Sequence, residues 1–158
     1  MAKTPSPSDT ANTAVRAYLY AVSKKNFPDH FVDPKKWEEI REGFSGCIYD
    51  KNCSCKKDKL EREHLDECNK KGRGLHIEMN VVPACGKHNR EMSGKTFSEK
   101  ESHIKRYGLS EKYQKHKKHY KIELPIGFDE NIKKYVGQLA KEIKEITKSY
   151  IDKKLTKS

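Results

Sequence analysis

All five cysteines of this chain fall between residues 45 and 97, and that clustering constrains its fold more than any other feature. Five is an odd count, and the N-terminus shows no basic stretch leading into an apolar one. Export and a disulfide framework are therefore not expected, and thiols kept for metal ligation in a reducing cytoplasm are. Within the stretch, Cys85-Gly-Lys-His88 has the C-x-x-H spacing that suits one edge of a tetrahedral zinc site.

The same residues must share a chain in which 36% of side chains are charged, against a usual ~25%. The net charge is +11, and it is unevenly placed: 0 over residues 1–50, +4 over 51–100 and +7 over 101–158. A surplus of this size points to a polyanionic partner and away from a dry pocket for a small apolar substrate. The longest apolar run, Ala17 to Val22, is six residues. A bilayer span needs roughly 18, so no membrane partner is expected.

Local signals place the flanking elements. Residues 1–8 read as a loose tail, and Asp9 as the cap of a helix to about Lys25 with Ala11, Val15, Leu19 and Val22 on its apolar face. Asp33-Pro34 opens a short helix that buries Trp37, Ile40 and Phe44. Strand-like pieces lie near 59–64 and 76–83, joined by a connection containing Gly72 and Gly74, and a helix opens near Lys87. Ser98 can cap a helix ending at Gly108, and a basic helix follows from Ser110 to Tyr120. From Asp129 onward, Ile132, Val136, Leu139, Ile143, Ile146 and Tyr150 form a seam with steps of 4, 3, 4, 3 and 4. That seam is expected to lie on the domain's own core, with a dimer coil as the second option.

Residues 60–97 carry the chemistry. Glu63-His64 sets a carboxylate beside an imidazole, Asn80 follows inside Asn-Val-Val-Pro, and Asn89 sits on the first turn of the next helix. Hydrolysis of a phosphodiester needs a base to activate water and a cation to stabilise the phosphoryl oxygens and leaving group. A neutral imidazole suits the first task, and hard carboxylate and amide oxygens suit Mg²⁺ for the second.

With the phrase Gly-Leu-His-x-x-x-Asn-Val-Val-Pro-Ala-Cys-Gly-Lys-His-Asn-Arg, residues 45–97 resemble the HNH, or ββα-metal, endonucleases, in the form common among HNH restriction enzymes. The resemblance implies a ββα-metal core with a zinc knuckle over 45–97; together with the N-terminal helical segment over 1–44 and the basic C-terminal helical segment over 98–158 read from local signals, an α+β fold in one compact domain is expected. The resemblance implies His64 as general base, Glu63 and Asn89 as ligands of a catalytic Mg²⁺ (or Mn²⁺), and Asn80 as the residue holding the loop and His64 in register. It implies a structural Zn²⁺ held by Cys47, one of Cys53 or Cys55, Cys85 and His88, with Cys68 left out. Two departures stand out: Glu63 where the family more often has Asp, and His88 where it more often has Cys.

Arg90, Lys95, Lys115, Lys117 and Lys118 are expected to meet phosphates, with Lys153, Lys154 and Lys157 extending the basic flank. His103, His116 and His119 are expected to be phosphate contacts or solvated, and His76 to face the groove or solvent without a role. The expected activity is hydrolysis of double-stranded DNA by a homodimer of restriction type. The alternatives are a phage, homing or toxin nuclease, or a zinc-structured DNA-binding module whose catalytic centre has decayed.

Overall fold

Ser6 starts the first helix, α1 (Pro7–Asn26). Its hydroxyl accepts from the Asp9 amide at 3.2 Å while the Asp9 carboxylate accepts from the Ser6 amide at 3.1 Å, a reciprocal capping box. The cap is therefore three residues earlier than the sequence suggests, and Asp9 serves as its return partner. The computed structural model describes residues 6–69 and 74–155. Residues 1–5 of the expected tail, Gly72 and Lys157 lie outside that range.

Ala11, Val15, Leu19 and Ser23 form the buried face of α1, one residue per turn. Helix α2 (Pro34–Gly43) begins as expected, with the Asp33 carboxylate accepting from the Lys36 amide at 2.7 Å, and Trp37, Ile40 and Phe44 are buried.

Strands β1 (Leu60–His64) and β2 (Val81–Cys85) pair antiparallel, with Leu60 opposite Cys85 and His64 opposite Val81. The second strand was expected over 76–83, but it starts at Val81. The earlier residues are taken by another partner. The Val32 amide donates to the His76 carbonyl, Phe31 and Ile77 form an isolated bridge, and the Ser23 hydroxyl accepts from the His76 amide at 2.8 Å. Residues Glu78–Asn80 then make one 3₁₀ turn into β2.

Helix α3 (Gly86–Met92) follows at once and packs on both strands, so strand, strand and helix form a contiguous unit. Helices α4 (Phe97–Tyr107) and α5 (Ser110–His119) come next, with α4 capped by Thr96 and Glu99 rather than by Ser98. The turn between them passes so close to the chain that a Cβ on Gly108 would lie 2.0 Å from the Ile48 carbonyl. A side chain does not fit there, which is why glycine stands at this position.

Helix α6 (Phe128–Leu155) lies along α1. Ile132 and Val136 are buried with Val15, Leu19, Phe27 and Ile77 in one core, while a second core surrounds the sheet. Along the seam on α6, Ile132 and Val136 are buried while Ile146 and Tyr150 are 65% and 62% exposed. Among the described residues the fold is α+β, with six α-helices and one two-stranded antiparallel sheet. No helix among them is long and apolar enough to cross a membrane.

A candidate metal centre and an adjoining polar cleft

The N-terminal turn of α3 brings Cys85 and His88 to one side, because residues three apart on a helix share a face. The loop after α2 delivers Cys47 and Cys53 to the same point. Ligand atoms of Cys47, Cys53, Cys85 and His88 all lie within 4.8 Å of one another. His88 Nδ1 is 3.3 Å from Cys47 Sγ and 3.2 Å from Cys85 Sγ, which identifies Nδ1 as the nitrogen facing the cluster. Three thiols and one imidazole at this spread match the tetrahedral donor set that zinc takes, and the cluster can hold a metal ion. Burial pushes the Cys47 thiol up to about 12, which disfavours its thiolate form. The structure also separates two cysteines that the sequence left equivalent. Cys53 joins the cluster, and Cys55 instead donates to the Lys56 carbonyl at 3.6 Å. Cys68 is buried in the α1–α6 core, away from the cluster.

Beside this centre, β1 and α3 form one wall of a cleft of about 580 Å³. Glu61, Glu63, His64 and Asn89 line it together, with Arg16, Arg62 and Lys100 supplying positive charge. Glu63 is buried, and its Oε1 accepts from Lys100 Nζ at 2.6 Å and from the Tyr49 hydroxyl at 2.8 Å. Burial pushes the Glu63 carboxyl up, against the opposing pull of those two donors. Lys100 also donates to the His64 carbonyl at 2.8 Å. Asn89 donates its amide to Glu61 Oε2 at 2.9 Å, so its partner in this structure is Glu61 and not Glu63.

His64 is half-buried, and its Nε2 lies 2.8 Å from His76 Nδ1. Burial first, then the neighbouring His76, Arg16, Lys100 and Arg62, hold its pKa down to about 3, so the imidazole is neutral near pH 7. Asn80 closes the connection between the strands. Its Oδ1 accepts from the Asp66 amide at 2.7 Å, and its Nδ2 donates to the carbonyls of Asp66 and Leu75 at 2.8 and 2.9 Å.

Several expected positions differ. His76 faces neither groove nor solvent: it is 1% exposed, because Tyr20 stacks on its ring at 4.0 Å and Val32 accepts from it. His116 is buried rather than solvated, and its Nε2 donates to the Glu78 carbonyl at 2.8 Å. Lys117 is paired with Glu101 at 2.6 Å, which removes it from the free cations of α5. Lys115 borders a different hollow, beside Phe44 and Tyr120, and Lys118, Arg90 and Lys95 are exposed.

Arg16, Tyr20, Glu61, Arg62 and Lys100 line the cleft and His76 holds His64, and none of these six was expected in the site. Arg16 and Tyr20 sit four apart on α1 and so share a face, which was the available signal; nothing local marks Lys100. Compared with protein families, curated proteins and solved structures, the chain matches none.

Proposed function

We propose that this protein is a metal-dependent endonuclease acting on double-stranded DNA, with a zinc-stabilised nuclease core. The carrying observation is the convergence of His64, Glu61, Glu63 and Asn89 on one cleft that also holds Arg16 and Arg62, beside the Cys47, Cys53, Cys85 and His88 cluster. A phosphodiester entering the cleft meets Arg16 and Arg62 as counter-charges. His64, held neutral, is the base that takes the proton from the attacking water. Zn²⁺ bound by the three thiolates and His88 Nδ1 would fix the start of α3, and with it Asn89.

The cleft also offers the hard oxygen donors that Mg²⁺ requires, in Glu61, Glu63 and Asn89. A divalent ion there would stabilise negative charge on the phosphoryl oxygens and leaving group. Because Glu63 is engaged by Lys100 and Tyr49, and Asn89 by Glu61, ligation by Glu63 and Asn89 requires Lys100 to share or release its carboxylate. That engagement is the observation favouring the second reading, a DNA-binding module without catalysis. The likeness to HNH restriction enzymes supports a restriction role, and the exposed Ile146 and Tyr150 offer a surface for a homodimer.

The test is digestion of a long DNA with Mg²⁺ and zinc-loaded protein, with the ends sequenced. Discrete cuts with 5′-phosphate ends are expected. Tight, salt-dependent binding without cleavage under Mg²⁺ or Mn²⁺ would select the binding module instead.

A further inference from the structure

We infer that His76 is a positioning residue that fixes the tautomer of His64 and leaves His64 Nδ1 as the basic nitrogen; this rests on the nuclease reading of the cleft that His64 lines.

His76 Nε2 lies 3.0 Å from the Val32 carbonyl. A carbonyl can only accept, so Nε2 carries the proton. Burial keeps His76 neutral, with its pKa held down to about 4. Its Nδ1 is then a lone pair, and the 2.8 Å contact requires His64 Nε2 to donate to it. Neutral His64 therefore holds its one proton on Nε2 and its lone pair on Nδ1. When a water proton moves to Nδ1, the ring still donates through Nε2 to His76, so its orientation is kept through the transfer. The hydroxide left behind attacks phosphorus, and the electron pair of the broken P–O bond leaves with the departing oxygen.

His76 can impose this because its own ring is held on several sides. Tyr20 stacks on it at 4.0 Å and 14°, Phe31 meets its edge at 5.3 Å, and its backbone amide donates to Ser23. Tyr20 and Ser23 belong to α1, and Phe31 and Val32 to the segment before α2. The N-terminal helical segment thus reaches the base through His76, which gives those residues a role beyond covering the core.

The test uses the full chain and three proteins. Long-range ¹H–¹⁵N spectra at neutral pH should show His64 protonated on Nε2 in the wild type. In His76→Asn, the amide oxygen can replace the Nδ1 acceptor, and the Nε2–H tautomer should persist. His76→Ala removes the acceptor, and His64 should become a mixture of tautomers. With DNA and Mg²⁺, His76→Ala should lower kcat roughly 10- to 100-fold with KM little changed, and His76→Asn should recover most of it. A wild-type His64 protonated on Nδ1 would overturn the inference, as would a His76→Ala protein that folds with spectrum and kcat unchanged. If His76→Ala does not fold, the wild-type and His76→Asn spectra still decide it. If the wild type cuts no DNA, the nuclease reading fails while the spectra still judge the relay.

Discussion

Lys100 Nζ lies 2.6 Å from Glu63 Oε1, and both side chains are almost wholly removed from solvent. The pair ties α4 to the end of β1, and the Tyr49 hydroxyl completes the carboxylate's shell from the loop after α2. Each is the other's nearest counter-charge, with Glu67 Oε1 a more distant second one for Lys100 at 3.9 Å. Removing one partner strands the other in a low dielectric, a loss of about 3–5 kcal/mol. Lys100→Met should therefore destabilise the protein by that order in urea unfolding. The double variant Lys100→Met with Glu63→Leu should recover much of the loss, and an additive double variant would show that the two do not interact.

The two neighbouring cysteines make the metal centre testable. Purified protein should carry close to one zinc per chain by elemental analysis. Cys53→Ala and Cys85→Ala should lose most of it along with several degrees of Tm, because bound metal contributes directly to folding. Cys55→Ala should keep its zinc. The opposite pattern between Cys53 and Cys55 would relocate the fourth ligand.

Asn80 makes three hydrogen bonds across the connection between the strands, each worth about 1 kcal/mol. Asn80→Ala should cost roughly 2–4 kcal/mol and remove the exchange protection of the Asp66 amide. Gly74→Ala should do comparable damage, since its Cβ would stand 1.9 Å from the Asp66 carbonyl.

Acid should destabilise the fold through its buried histidines. Burial holds His116 to about 4, below the 6.5 of an unperturbed histidine. Between those values the unfolded chain binds the extra proton, so stability falls as pH drops from about 6.5 to 4 and levels off below. The change from this one residue is at most about 3 kcal/mol. His116→Gln should flatten unfolding free energy against pH across that window. An unchanged slope would remove His116 as a source of the acid sensitivity.

The sequence was most informative where the decisive signal was local. Asp33-Pro34 capped α2 as expected, the apolar spacing of α1 and α6 predicted two long helices, and Cys85-x-x-His88 located half of the metal cluster. It was weaker where partners come from afar. Residues 76–80 have strand-like character, yet the segment 23–32 captures them, a contact that no periodicity announces. Choosing Cys53 over Cys55 depends on how a loop turns back onto α3. The Glu63–Lys100 pair spans 37 positions, and the relay from Val32 through His76 to His64 joins three separate segments. Net charge, likewise, signals a polyanion without separating Lys117, paired to Glu101, from Arg16 and Arg62 in the cleft.

We propose that His64 activates water in a metal-dependent cut of DNA. Conversion of supercoiled plasmid to open and linear forms by zinc-loaded wild type and His64→Ala, with Mg²⁺ and with EDTA, tests it most directly. The account predicts cleavage only by wild type with Mg²⁺, with His64→Ala slower by roughly 100-fold or more while still binding the plasmid. Equal cleavage by both proteins, or none by the wild type with Mg²⁺ or Mn²⁺ across plasmids of varied sequence, would contradict it.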